Sequence, residues 1–295
     1  MIINSQIKAI SDLIRLDRPY GTLLLLLPTL WALALASEGF PTLKLFLVFS
    51  IGAFLMRSAG CILNDLADQE LDRGVSRTRE RPLAARRLSA RDALWVLFVF
   101  LLLSALLLFF LNPLTRILSL VGLGVAILYP FMKRVTHYPQ MVLGIAFAWG
   151  PLMAWTEVRN AIEWPCILIF LATFFWTTGY DTIYALMDKE DDLKVGIKST
   201  ALYFGDQTWL ALTVLFGLTA LSLLGVGWLT QRTLIYYLFI LLIGFGFIRQ
   251  IHRIKTDPQS PSAFALFKSH VGIGTLVLAG ILLDILKQNH PGAMS

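Results

Sequence analysis

Residues 42–72, TLKLFLVFSIGAFLMRSAGCILNDLADQELD, decide what kind of molecule this chain forms. From Leu45 to Leu63 every residue is apolar or small except Arg57. That run matches the roughly 20 residues a helix needs to cross a bilayer core. Within a few positions it turns into a row of acids: Asp65, Asp68, Glu70 and Asp72. Carboxylates at this density repel one another, so the row is expected to hold something cationic. The stretch predicts a membrane span over 42–62 that delivers an acidic site to one face of the bilayer.

The rest of the chain repeats the pattern. It has 295 residues, 57% of them hydrophobic and 15% charged, with a mean hydropathy of +0.70. Soluble domains carry about 25% charged residues. Spans are predicted at 20–37, 42–62, 92–111, 114–132, 138–156, 162–181, 208–229, 232–250 and 267–287. The expected fold is therefore all-α: a multi-pass membrane bundle of about nine transmembrane helices in a single domain, 1–295. Three connections are long and polar, 63–91, 182–207 and 251–266. With the N-terminus placed in the cytoplasm, 19 of the 25 lysines and arginines fall on the cytoplasmic side and five on the other. The positive-inside rule then puts the N-terminus and all three long connections in the cytoplasm and the C-terminus outside. The net charge of +6 belongs to these loops and points to no nucleic acid partner. Cys61 and Cys166 are far apart in apolar settings, with no metal-binding spacing. The amphipathic N-terminal stretch MIINSQIKAISDLIRLDRPYG is expected to be a surface helix rather than a cleaved leader.

A second acidic stretch, DKEDD at 188–192, follows another predicted span on the same side. At about 100° per residue, Asn64, Asp65, Asp68 and Asp72 share an arc of about 100°, and Glu70 points away. In the second stretch Asp181, Tyr184, Asp188, Asp191 and Asp192 share a similar arc, with Glu190 outside it. Each stretch thus presents oxygen ligands on one face, at N-x-x-x-D-x-x-x-D and Y-x-x-x-D-x-x-x-D spacing. Magnesium takes few protein carboxylates and completes its octahedron with water and substrate phosphate. Two facing rows are expected to hold Mg2+ ions that bridge a diphosphate, with Asn64, Asp65, Asp68, Asp72, Asp181, Asp188, Asp191 and Asp192 as candidate ligands. A calcium loop is excluded by the missing glycine and ligand spacing.

Basic residues stand beside the first row. Arg77, Arg79 and Arg81 are poised for phosphate oxygens, which guanidinium binds in bidentate fashion. Lys133, at the end of the fourth span, and Lys198 are further candidates. Arg57 lies inside a span, roughly 10 Å deeper than Asn64 on the same helical face. A charge there costs about 2.5–3.5 kcal/mol on insertion scales, which marks it as functional.

Four stretches carry a resemblance: RPYGTLLLLLPTLWAL (18–33), LMRSAGCILNDLADQELDRGVSRTRERPLA (55–84), YPFMKRVTHYPQMVLG (129–144) and GYDTIYALMDKEDDLKVGIKST (179–200). They closely resemble the 4-hydroxybenzoate polyprenyltransferases of the UbiA-type intramembrane aromatic prenyltransferase superfamily. The resemblance implies a nine-helix membrane fold, a polyprenyl diphosphate donor, a 4-hydroxybenzoate acceptor, magnesium, and a step of ubiquinone biosynthesis in a bacterial inner membrane. By resemblance Asn64, Asp68 and Asp72 form the first metal motif and Tyr184, Asp188 and Asp192 the second, with Asp68, Asp72, Asp188 and Asp192 catalytic. Within the superfamily a naphthoate, a haem or a tocopherol precursor are the rival acceptors. CDP-alcohol phosphotransferases begin their motif with an Asp-Gly pair and an Arg, absent here. A cation transporter would place its ionisable groups near the bilayer midplane, whereas these rows lie at helix ends.

Overall fold

The structure, a computed structural model, describes residues 2–257 and 261–290. The C-terminal end expected outside, from 291 on, lies beyond the described residues, as do 258–260 of the third long connection. Among the described residues every regular element is helical: α1 (Ile2–Leu13), α2 (Tyr20–Ala36), α3 (Leu43–Ala67), α4 (Ala90–Leu107), α5 (Pro113–Val135), α6 (Pro139–Arg159), α7 (Trp164–Ala185), α8 (Lys189–Val195), α9 (Thr200–Phe204), α10 (Thr208–Leu229), α11 (Leu234–Thr256) and α12 (Pro261–Asn289). Among the described residues eight helices are long and apolar enough to cross a membrane. The remaining predicted span, 20–37, is α2, which has 17 residues. Its length of roughly 26 Å falls just short of a hydrocarbon core of about 30 Å. Its neighbours α3, α6, α7 and α12 cover most of it.

Several helices outrun their apolar segments. The span expected at 42–62 continues to Ala67, and the one at 162–181 to Ala185. Hydropathy marks where the bilayer core stops. The backbone hydrogen bonds continue beyond it and carry the acidic rows out on helical ends. The long connections are also structured. Residues 71–74 form a short 3-10 turn after α3, and 186–188 form another between α7 and α8.

Packing around α2 and α7 makes the core. Trp31 and Trp176 meet at 5.2 Å between ring centroids, and the Trp31 indole N–H donates to the Gly274 carbonyl at 2.9 Å. A Cβ at Gly274 would stand 2.8 Å from both Leu27 and Trp176, so only glycine lets α12 approach this closely. A second apolar cluster joins Ala9 and Leu13 of α1 to Ala59 and Ile62 of α3, Leu83, Leu88, and Ala93 and Leu97 of α4. The amphipathic N-terminal segment is thus a helix packed on the end of α3. On the other side of the bundle α4 packs on α3, and α5 packs on α3 and α6, while α4 and α5 barely meet. Most of the outward surface of those two helices is apolar, with Trp95, Phe98, Leu102, Leu120, Leu128 and Phe131 exposed.

Candidate active site

The ends of α3, α5, α7 and α11 and the starts of α2, α6, α10 and α12 lie together, and both acidic rows are at that end. In each row the helix breaks at the middle aspartate. Asp68 (φ −106°, ψ 7°) ends α3, and Asp188 (φ −105°, ψ 2°) precedes α8. Both occupy the sparsely populated bridge region of backbone space, where active-site residues recur. The break leaves the four-residue spacing intact, because the Asp72 N–H still donates to the Asp68 carbonyl at 2.8 Å. Glu70 and Glu190 are exposed, off the rows, as the helical projection requires.

The segment after the first row reaches the second. The Ser76 N–H donates to Asp191 at 2.9 Å. Arg77 Nε donates to Asp188 at 2.8 Å and Arg77 Nη1 to the Tyr184 hydroxyl at 2.7 Å, with the guanidinium 4.8 Å from the Tyr184 ring centroid. Arg81 Nη1 donates to Asp72 at 2.9 Å and to Asp65 at 3.2 Å. Lys133 forms an ion pair with fully buried Asp68, and Arg134 approaches the same carboxylate at 3.4 Å. Burial pushes the Asp68 carboxyl above its ordinary range, and the charges of Lys133 and Arg134 pull it back only in part. The backbone N–H of Lys198 donates to the Lys133 carbonyl at 3.0 Å, tying the end of α5 to the loop beyond Asp192. Asp192 is 8% exposed and makes no ion pair among the described residues.

A cavity of about 650 Å³ opens from this end into the bundle. Its polar end is walled by Arg57, Asn64, Asp65, Arg77, Arg81 and Tyr184, with Asp181 beside them. Asp72 and Asp188 stand behind Arg81 and Arg77. Deeper, the walls are apolar, from Leu25, Val48, Phe49, Leu111, Phe147 and Met153. Residues of α4 (Leu101, Ser104) and of α5 (Leu123, Ala126) line it from the side where those helices barely meet.

Arg57 faces this cavity with no acid within ion-pair distance among the described residues. Its Nη1 contacts the Cys61 sulfur at 2.6 Å, and its buried Nε has no hydrogen-bond partner. A Cβ at Gly21 would stand 2.7 Å from that Nε, so the guanidinium lies flat against bare backbone.

Some expected residues are placed elsewhere. Arg79 is exposed and pairs only with Glu80 at 3.9 Å. The 75–81 segment makes helical turns, so residues 77 and 81 share a side and 79 points away. The Lys198 side chain turns to the Val135 carbonyl at 3.4 Å, outside the cavity. Asp191 is engaged by Ser76 and Lys194 and Asp65 by Arg15 and Arg81, just as Asp68, Asp72 and Asp188 are engaged by Lys133, Arg81 and Arg77. Among the described residues no three His, Cys, Asp or Glu side chains cluster as a ready-made metal cage. Magnesium needs no such cage: one or two carboxylates plus substrate phosphates suffice. Asn64, Asp68, Asp72, Asp188 and Asp192 fit that donor set, and the cations now beside them show that the pocket is built around positive charge.

Arg15 is the residue that sequence reasoning missed. Its Nη2 donates to both oxygens of Asp65, at 2.7 and 2.8 Å. The two residues are fifty positions apart, and no local spacing links them.

The model of the UbiA prenyltransferase family matches residues 25–271. The 4-hydroxybenzoate octaprenyltransferase of Tolumonas auensis is 47% identical over 284 residues, 96% of this chain and 98% of that one. The protein of the same name from Hydrogenovibrio crunogenus is 44% identical over 286 residues, 97% of this chain and 100% of that one. Two solved structures share the fold. A UbiA homolog from Aeropyrum pernix superposes with a TM-score of 0.77 at 23% identity, covering 89% of this chain and 98% of its own. A UbiA homolog from Archaeoglobus fulgidus, bound to GPP and Mg2+, gives 0.69 at 22% identity, covering 94% and 99%. With this match across nearly the whole chain, the protein belongs to the UbiA prenyltransferase family.

Proposed function

We propose that this protein transfers a polyprenyl chain from polyprenyl diphosphate to the ring carbon ortho to the hydroxyl of 4-hydroxybenzoate, a step of ubiquinone biosynthesis. The observation that carries the reading is the gradient along one cavity: paired acids and cations at the mouth, a guanidinium with no acid in ion-pair contact further in, and apolar walls beyond. A diphosphate, a benzoate carboxylate and an isoprenoid tail need those three environments in that order. The relatives named above carry the same substrate class in their names.

The side chains divide the work. Arg77, Arg81 and Lys133 face the diphosphate and turn from carboxylate to phosphate oxygens as it binds. Mg2+, held by Asn64, Asp68, Asp72, Asp188 and Asp192, would supply charge neutralisation at the leaving group. The allylic carbon–oxygen bond breaks, the diphosphate departs with the electron pair, and the ring carbon closes the new bond before its proton is lost. Tyr129, Phe264 and Phe267 line the cavity, and aromatic ring faces stabilise positive charge. Arg57 holds the benzoate carboxylate. The tail lies along the apolar walls and leaves toward lipid between α4 and α5. We place the protein in a bacterial inner membrane with the site facing the cytoplasm.

The test incubates membranes containing the protein with a polyprenyl diphosphate, magnesium and either 4-hydroxybenzoate or a dihydroxynaphthoate, and identifies products by mass. The expected product is the ring-prenylated benzoate, lost on chelation and restored by magnesium. Prenylation of the naphthoate alone would overturn the acceptor assignment.

A further inference from the structure

Arg15 lies before the segment matched by the family model and lines the mouth of the cavity beside Asp65. Its backbone sits at φ +58°, a left-handed conformation that L residues with a Cβ rarely adopt. That turn lets one guanidinium do two jobs. Nη1 donates to the Asp12 carbonyl at 2.6 Å and closes the end of α1. Nη2 grips both oxygens of Asp65, which is 1% exposed. The helix that carries this contact is itself fixed, by Ala9 and Leu13 packed on α3 and by an Asp12–Arg87 ion pair at 2.6 Å. A non-glycine residue held in such a conformation by its surroundings points to function.

The contact bears on Arg81. Arg81 Nη1 sits between two acids, 2.9 Å from Asp72 and 3.2 Å from Asp65, and its side chain lines the cavity mouth. Asp65 and Asp72 therefore compete for one guanidinium, and Arg15 already fills both oxygens of Asp65. Without Arg15, a buried carboxylate is left short of partners, which is the costly situation, and the nearest donor able to satisfy it in bidentate fashion is Arg81.

We propose that Arg15 is a positioning residue for the donor: by saturating Asp65 it leaves Arg81 directed at Asp72 and the incoming diphosphate. The segment after the N-terminal helix thereby becomes part of the donor site by way of Asp65. Asp65 acts in this arrangement as the link between the two arginines. The proposal rests on the reading of Arg81 as a diphosphate contact.

The experiment measures binding of an unreactive polyprenyl thiolodiphosphate to the full-length protein in nanodiscs, with thermal melting to confirm folding. Arg15→Gln is expected to weaken binding about tenfold or more, the scale of one charge-assisted hydrogen bond. Arg15→Lys should not restore it, because the fork is lost. Adding Asp65→Asn to Arg15→Gln removes the competitor and should return binding to within about threefold of the parent, a coupling that only residues sharing one network show. If the double variant binds as weakly as Arg15→Gln or worse, Arg15 acts otherwise than through Asp65, as a direct contact or a structural one, and the proposal fails. It also fails if Arg15→Gln binds normally while Arg81→Gln does not. If Arg81→Gln itself binds normally, the underlying assignment of Arg81 is wrong, and the relay falls with it.

Discussion

Arg57 shows how much one residue can say. A guanidinium within a span costs a few kcal/mol to insert, and the usual compensation is a buried acid. Here no acid lies within ion-pair reach among the described residues, Nε is unpartnered, and the group faces the cavity beside bare backbone at Gly21. On the function proposed above, its partner arrives with the substrate. Arg57→Ala is expected to lower kcat/KM for 4-hydroxybenzoate by about 1.5–3 kcal/mol, through KM for the acceptor. Steady-state kinetics checks this, and a shift confined to magnesium or diphosphate dependence would count against the carboxylate role. Arg57→Lys should recover little, since it keeps the charge without the fork. The acid rows give the matching prediction at the mouth. Asp68→Ala or Asp188→Ala should each reduce turnover at least about 10²-fold. Glu70→Ala, whose side chain is 79% exposed and off the row, should change it little. Near-normal turnover by either aspartate variant in saturating magnesium would sink the two-row site.

At the scale of elements, Asp284 illustrates a contact that holds helices together far from the chemistry. It is fully buried on α12 and accepts from the Thr233 N–H at 2.9 Å and the Tyr236 N–H at 3.3 Å, capping the first turn of α11 from a different helix. Arg232 stands 3.9 Å away on the same carboxylate. Removing a cap costs about 1 kcal/mol, and stranding buried N–H groups adds to it. Asp284→Ala should lower the thermal unfolding midpoint in detergent while the KM for donor and acceptor stay as they were. An unchanged midpoint would mean water replaces the carboxylate. Asp284 sits inside a predicted span, and its cap depends on a partner fifty-one residues away. The acidic rows were legible for the opposite reason. Their four-residue spacing is a local property, and it survives the breaks at Asp68 and Asp188 because the bond from Asp72 N–H to Asp68 persists. Hydropathy located the spans but not their ends, since helices continue past the apolar run. The pairing of every row with a cation, and the grip of Arg15 on Asp65, join segments that only the folded bundle brings together.

For the molecule as a whole, the arrangement in the bilayer decides which compartment supplies the substrates. The even alternation of α2 through α7 and α10 through α12 puts the acid rows and all three long connections at one end. Many basic residues there are tied to acids, among them Arg15, Arg77, Arg81 and Lys133. Their presence could therefore reflect the site rather than orientation. The residues that make no ion pair among the described residues bear on which account is needed. Lys8, Arg86, Arg91, Lys189, Lys198, Arg249, Arg253, Lys255 and Lys268 remain at the site end, against Lys44, Arg116 and Lys287 at the other, so the charge bias persists after the site's own cations are set aside. On the positive-inside rule we propose that the site faces the cytoplasm. Single cysteines test this, because both native thiols, Cys61 and Cys166, are buried and can be replaced by alanine. Glu70→Cys at the site end and Glu38→Cys in the turn after α2 lie on side chains that are 79% and 73% exposed. In intact spheroplasts a membrane-impermeant maleimide should label Glu38→Cys and spare Glu70→Cys, and in inverted vesicles the pattern should reverse. Labelling of Glu70→Cys from outside the cell would turn the bundle over and require the diphosphate to be supplied from the opposite compartment.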